Sequence, residues 1–134
     1  MNSARIAPVP SPLIELSKVI AASARQGLTP VIVCPDSIRL ADEFYVALCE
    51  AVGTQSGRNV RLDLLPGHRL TGMLGMFRYR HHVRRLRRRL PAVGAVDATV
   101  ALSRCGPRSS DIVIGFAASN DELPSYAKPI ELAA

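Results

Sequence analysis

Apolar residues in the middle of the chain keep step with a helix. Met76, Tyr79, Val83, Leu86 and Leu90 follow one another at spacings of 3, 4, 3 and 4 residues. At about 100° per residue these spacings line all five on one narrow stripe. Around them stands Arg78-Tyr79-Arg80-His81-His82-Val83-Arg84-Arg85-Leu86-Arg87-Arg88-Arg89-Leu90, with seven arginines, two histidines and no acid in thirteen residues. The pattern predicts a helix with one face docked on a core and a cationic face turned outward. His81 and His82 are neighbours and point about 100° apart, so they cannot share one metal in the way an i, i+4 pair can. Both are expected on the exposed basic face, gaining charge as pH falls toward ~6.

The same reading extends along the chain. Ser11-Pro12 predicts a helix start, with Ser as N-cap and Pro at the first helical position. Leu13, Ile14, Leu16, Val19, Ile20 and Ala24 give that helix an apolar face, and Gly27 stops it. Thr29 to Cys34 is a continuous β-branched run, expected as a buried, central, parallel strand. A second helix is expected from about 37 to 52, capped by Asp36 or Ser37 and ended by Gly53. A polar loop follows over 54–59. Val60 to Leu64 alternates apolar and polar, which predicts a less buried strand nearer an edge. After a Pro66-Gly67-His68 turn, Leu70, Met73, Leu74, Met76 and Phe77 predict a helix that begins buried and emerges as the arginine helix, ending at Leu90-Pro91. Residues 95–102 are expected as a third strand and Asp111 to Gly115 as a fourth. Beyond Ala118 the chain turns polar, and Pro124 and Pro129 argue for an irregular tail.

Helices alternating with strands predict an α/β fold: a small open, mostly parallel sheet of about four strands flanked by about three helices, with irregular termini. The expected organisation is a flexible arm over 1–12, where Pro8, Pro10 and Pro12 recur, a single α/β domain over 13–118, and an irregular C-terminal tail over 119–134. A chain of 134 residues suits one such domain.

Charge alters this picture through its placement. The chain carries a net +6, yet residues 58–91 alone hold ten arginines against the single acid Asp63, a local +9 on an otherwise mildly acidic body. Such asymmetry favours a polyanionic partner: nucleic acid or an acidic protein. A preference for Arg over Lys follows from a GC-rich coding sequence, but clustering on one helix does not. Membrane binding is not expected, because the apolar stripe is narrow and lacks Trp or Phe anchors, and no apolar run nears the ~18 residues that span a bilayer. The N-terminus has no apolar signal segment. Three widely spaced cysteines, Cys34, Cys49 and Cys105, with no CxxC, are expected as reduced thiols of a cytoplasmic protein.

Candidate chemistry is sparse. The strand ends offer Cys34, Asp36 and Ser37, then His68, then Ser119 and Asn120. Cys34, His68 and Asp36 could serve as nucleophile, base and orienting acid, although a strand end, a turn and a helix cap account for the same three residues. Gly72-Met73-Leu74-Gly75 has the bare GxxG spacing of the KH nucleic-acid loop, with an apolar centre; close helix packing explains its glycines equally. Val31-Ile32-Val33-Cys34-Pro35 followed by Leu40-Ala41 resembles the strand and helix after the first nucleotide motif of superfamily 2 helicases. Asp111-Ile112-Val113-Ile114-Gly115 resembles a later strand of the same motor domain. The resemblance spans about a dozen residues, a length many α/β sheets share. It implies a strand scaffold; the phosphate-binding Gly-Lys-Thr and the Asp-Glu-Ala-Asp-like acids are missing from it.

The expectation is therefore a non-catalytic protein, with no cofactor and no metal, that binds RNA or DNA phosphates through Arg78, Tyr79, Arg80, Arg84, Arg85, Arg87, Arg88 and Arg89. The alternatives are an interaction module docking an acidic protein through the same helix, and a small enzyme using the strand ends.

Overall fold

The apolar run Thr29–Val33 forms β1, buried at every position. Its burial follows from its place in a five-stranded sheet ordered β3-β2-β4-β1-β5, parallel throughout. The other strands are β2 (Asn59–Leu64), β3 (Val93–Ala95), β4 (Asp111–Ala117) and β5 (Ala127–Glu131). Three helices complete the α/β fold: α1 (Ser11–Arg25), α2 (Asp42–Ser56) and α3 (Met73–Arg87). This computed structural model describes residues 11–34, 40–65, 73–90, 92–95, 102–106, 110–120 and 123–132. Asp36, Ser37, His68, Gly72 and the greater part of the strand expected over 95–102 lie outside the described residues.

The helices cover one face of the sheet. From β1 to β2 and from β2 to β3 the chain steps the same way, and right-handed crossovers then put α2 and α3 on one side. The contacts agree: Tyr45 of α2 meets His82 of α3 and stacks obliquely on Phe116 of β4, ring centroids 5.0 Å apart. Ile20 and Ala24 of α1, Leu48 and Val52 of α2, and Val83 and Leu86 of α3 share a core with Ile32, Leu62, Ile112 and Ile114. On the opposite face the described chain that packs is not helical. Val31, Leu65, Leu102 and Ala117 form a second small cluster with Leu123 and Tyr126 against it. Residues 102–106 are tied down there by polar groups of alternate strand positions. Thr29 Oγ1 accepts from Cys105 N at 2.8 Å, Asp63 Oδ2 accepts from Ser103 N at 3.1 Å, and the Tyr126 hydroxyl donates to Leu102 O.

Several expectations change. The second helix starts at Asp42, not 37, because residues 40 and 41 are extended or bent; Ala41 caps it without a side-chain bond. Asp42 and Glu43 in the first turn compensate by meeting the positive end of the helix dipole. Gly53 does not end this helix. It continues to Ser56 and closes at Gly57, whose φ of 70° suits a residue without Cβ and whose N–H donates to Gly53 O. Tyr45 lies one turn before Leu48 and joins it and Val52 on the buried face. β2 is second from the edge, and its polar positions are not all solvated: Asp63 is 1% exposed, beneath residues 102–106. The tail is not wholly irregular, since β5 pairs with β1 from Thr29↔Ala127 to Val33↔Glu131. Pro129 is tolerated because β5 is an edge strand, where a missing N–H need not break a ladder. Pro30 sits in β1 one residue before pairing with β4 begins at Val31↔Gly115.

Candidate functional site

The stripe of α3 is the part of the basic segment that packs. Tyr79, His82, Val83 and Leu86 are its buried residues, with Met76 and Leu90 half-buried beside them. Tyr79 therefore does not extend the basic patch as expected. It is 3% exposed and its hydroxyl donates to the carbonyl of Leu64, which fixes α3 to the end of β2. Its place on the apolar stripe decides its orientation, and no base can stack on it in this fold.

His82 also leaves the basic face. It is buried, with Nε2 3.2 Å from the Tyr45 hydroxyl and Nδ1 3.3 Å from an Arg85 guanidinium nitrogen. Arginine can only donate, so Nδ1 accepts, and Nε2 carries the proton and donates to Tyr45. Burial lowers the His82 pKa, and the Arg85 charge lowers it further; Asp42 opposes and His81 adds to the lowering. His81 stays on the exposed side, as expected.

The arginines divide by their partners. Arg85 pairs with Asp42 at 3.2 Å and Arg89 with Glu43 at 2.9 Å, both toward the first turn of α2. Glu43 is held below the usual carboxylate range by a backbone hydrogen bond and by Arg89. Arg87 Nε donates to Val93 O at 2.8 Å and pins the helix end to β3. The side chains of Arg78, Arg80, Arg84 and Arg88 are exposed and make no hydrogen bond or ion pair with any described residue. Arg80 and Arg84 are one turn apart on one face, and Arg88 continues the row in the tightened turn where Arg88 N–H donates to Arg85 O. The basic residues of the last turn also oppose the negative end of the α3 dipole. The eight expected residues thus split into an open row, a set clamped to the fold, and buried Tyr79.

The start of α3 reverses its expectation. Met73 is 91% exposed, Leu74 64% and Phe77 67%. With Met76, Arg80, His81 and Arg84, Met73 and Phe77 line a surface hollow of about 220 Å³. The helical wheel held the signal: Leu74 and Phe77 lie about 160° and 140° from the mean direction of the stripe. Apolar character alone suggests burial, but direction on the helix decides it.

The strand-end constellation does not assemble within the described residues. Cys34 is half-buried at the end of β1, with its N–H donating to Ala117 O, while Asp36 and His68 lie outside the described residues. Ser119 and Asn120 follow β4. All three cysteines are free thiols, and burial with the Glu50 charge pushes Cys49 up to about 12. Among the described residues no group of three His, Cys, Asp or Glu side chains could hold a metal ion, and no helix is long and apolar enough to cross a membrane. Comparison with protein-family models finds no match. Comparison with curated proteins and with solved structures finds none either.

Proposed function

We propose that this protein binds nucleic acid through the exposed face of α3, by phosphate contacts and without catalysis. The observation that carries the reading is the row Arg80, Arg84 and Arg88, flanked by Arg78, with no acidic partner among the described residues. Neighbouring members of the row are about 6 Å apart along the helix at 1.5 Å per residue. A docked helix holds them there without further ordering, and a guanidinium forks onto phosphate oxygens. Arg85, Arg87 and Arg89 serve chiefly to fix α3, so the contacting set is narrower than the eight residues read from the sequence.

The test is fluorescence anisotropy of nuclease-treated protein with labelled single- and double-stranded RNA and DNA over a salt series. Three to four phosphate contacts give a log K against log salt slope of about −2 to −4. The triple variant Arg80/Arg84/Arg88→Glu should abolish binding, whereas Arg89→Gln should retain most of it. No binding to any of the four ligands at low salt overturns the reading. A second reading, a module docking an acidic protein, draws on exposed Met73, Leu74 and Phe77 beside the arginines; its complex would survive nuclease treatment.

A further inference from the structure

The open arginine row adjoins an aromatic ring that a phosphate-binding surface does not need. Phe77 lies one turn before Arg80 and two turns before Arg84, in the hollow they share, and two-thirds of it is exposed to solvent. A duplex turns its charged backbone outward and keeps its bases stacked inside. Docked on the arginines, it would leave Phe77 and Met73 facing charge and water. An unpaired nucleotide offers both halves of a complement: a flat apolar base for the ring and methionines, and a phosphate for the guanidinium groups. The hollow, at about 220 Å³, is smaller than the ~300 Å³ at which drug-sized pockets begin, and it suits a single planar ring system.

Resting on the phosphate-binding reading above, we infer that α3 selects single-stranded nucleic acid, with one unpaired base laid against Phe77 between Met73 and Met76 and its flanking phosphates on Arg80 and Arg84. Phe77 is the specificity-determining residue. Its contact is sequence-tolerant, because every base has a π-face. Arg88 extends the backbone track, and His81 borders the base site. The shared ligand chemistry is an unpaired base with a flanking phosphate, and DNA and RNA strands both supply it.

The experiment compares the wild type, Phe77→Ala, Phe77→Trp and Arg80/Arg84/Arg88→Glu, each binding labelled oligo(dT), oligo(U) and a mixed-sequence DNA duplex of equal length at fixed salt, with salt slopes for each. The wild type should prefer both single strands to the duplex. Phe77→Ala should weaken single-strand binding by about five- to a hundredfold, the range that stacking on one aromatic spans. Its duplex affinity and its salt slopes should stay unchanged, since no phosphate contact is lost. Phe77→Trp should keep or tighten single-strand binding. Because Phe77 is exposed, both variants should fold as the wild type does, which circular dichroism checks. Equal losses for strand and duplex, or no loss in Phe77→Ala while the arginine variant still abolishes binding, would overturn the base site and leave the phosphate reading standing. Failure of the wild type to bind any of the ligands overturns both.

Discussion

Leu86 is the residue by which α3 is best tested as a docked platform. It is 0% exposed, so Leu86→Ala removes three buried carbons from a closed core. At about 0.8 kcal/mol per buried carbon the transfer loss is about 2.4 kcal/mol. The cavity left behind adds to this, and the total falls in the ~2–5 kcal/mol range of buried Leu→Ala changes. Against a domain stability of about 5–15 kcal/mol this is a large fraction. Leu74 is the matched control: the same residue type in the same helix, but 64% exposed. Leu74→Ala should change stability by less than about 0.5 kcal/mol. Urea unfolding followed by circular dichroism measures both, with the midpoint moving and the slope unchanged. If Leu74→Ala costs 2 kcal/mol or more, the apolar start of α3 is packed in solution. If Leu86→Ala costs under 1 kcal/mol, the arginine helix is not held as described, and the fixed spacing of the phosphate row loses its basis.

Two further outcomes follow from the core. His82 is neutral and buried in the fold, whereas in the unfolded chain it titrates near ~6.5. Below that pH the unfolded state takes up a proton the folded state refuses, so stability falls as pH drops from ~6.5 toward the depressed folded value and is level in this respect above it; the urea midpoint measured between pH 7.5 and 5 should lose that part of its slope in His82→Gln but keep it in His81→Gln, and identical profiles for the two variants would refute the assignment. A methyl group at Gly115 would stand 3.0 Å from Leu102 Cδ1 and 3.1 Å from Val31 Cγ2, so Gly115→Ala should cost about 1–3 kcal/mol through overpacking, and a melting temperature equal to or above the wild type's would show that residues 102–106 yield freely.

What could be read from the sequence, and what could not, divides along a physical line. The run Thr29–Val33 announces a buried strand because its burial on both faces leaves no charged and no exposed position. The stripe through Tyr79, Val83 and Leu86 is legible because a helix turns local spacing into direction. Tyr45, His82 and Asp63 were not legible. Each is a polar or amphipathic residue whose burial depends on a partner distant in the chain: Tyr45 and His82 on each other, Asp63 on Ser103. β5 was hidden for a related reason. Its burial alternates weakly, and only pairing with β1 makes it a strand. The cationic side chains were visible in the sequence, but Asp42, Glu43 and the Val93 carbonyl decide which of them remain open.

The sheet order also sets a timetable for synthesis. Both neighbours of β1 come from the last quarter of the chain: Val31 pairs with Gly115 across 84 residues and with Pro129 across 98. At a translation rate of about 5–20 residues per second, the apolar β1 segment waits about 4–17 s for β4, and longer for β5. During that interval a β-branched, uncharged run with two open edges is on offer to any other nascent strand. The helices that flank it, α1 and α2, emerge earlier and can shield only one of its faces. The run at residues 29–34 therefore stays open at both edges until β4 and β5 close over them, so the sheet is completed only after nearly the whole chain has emerged.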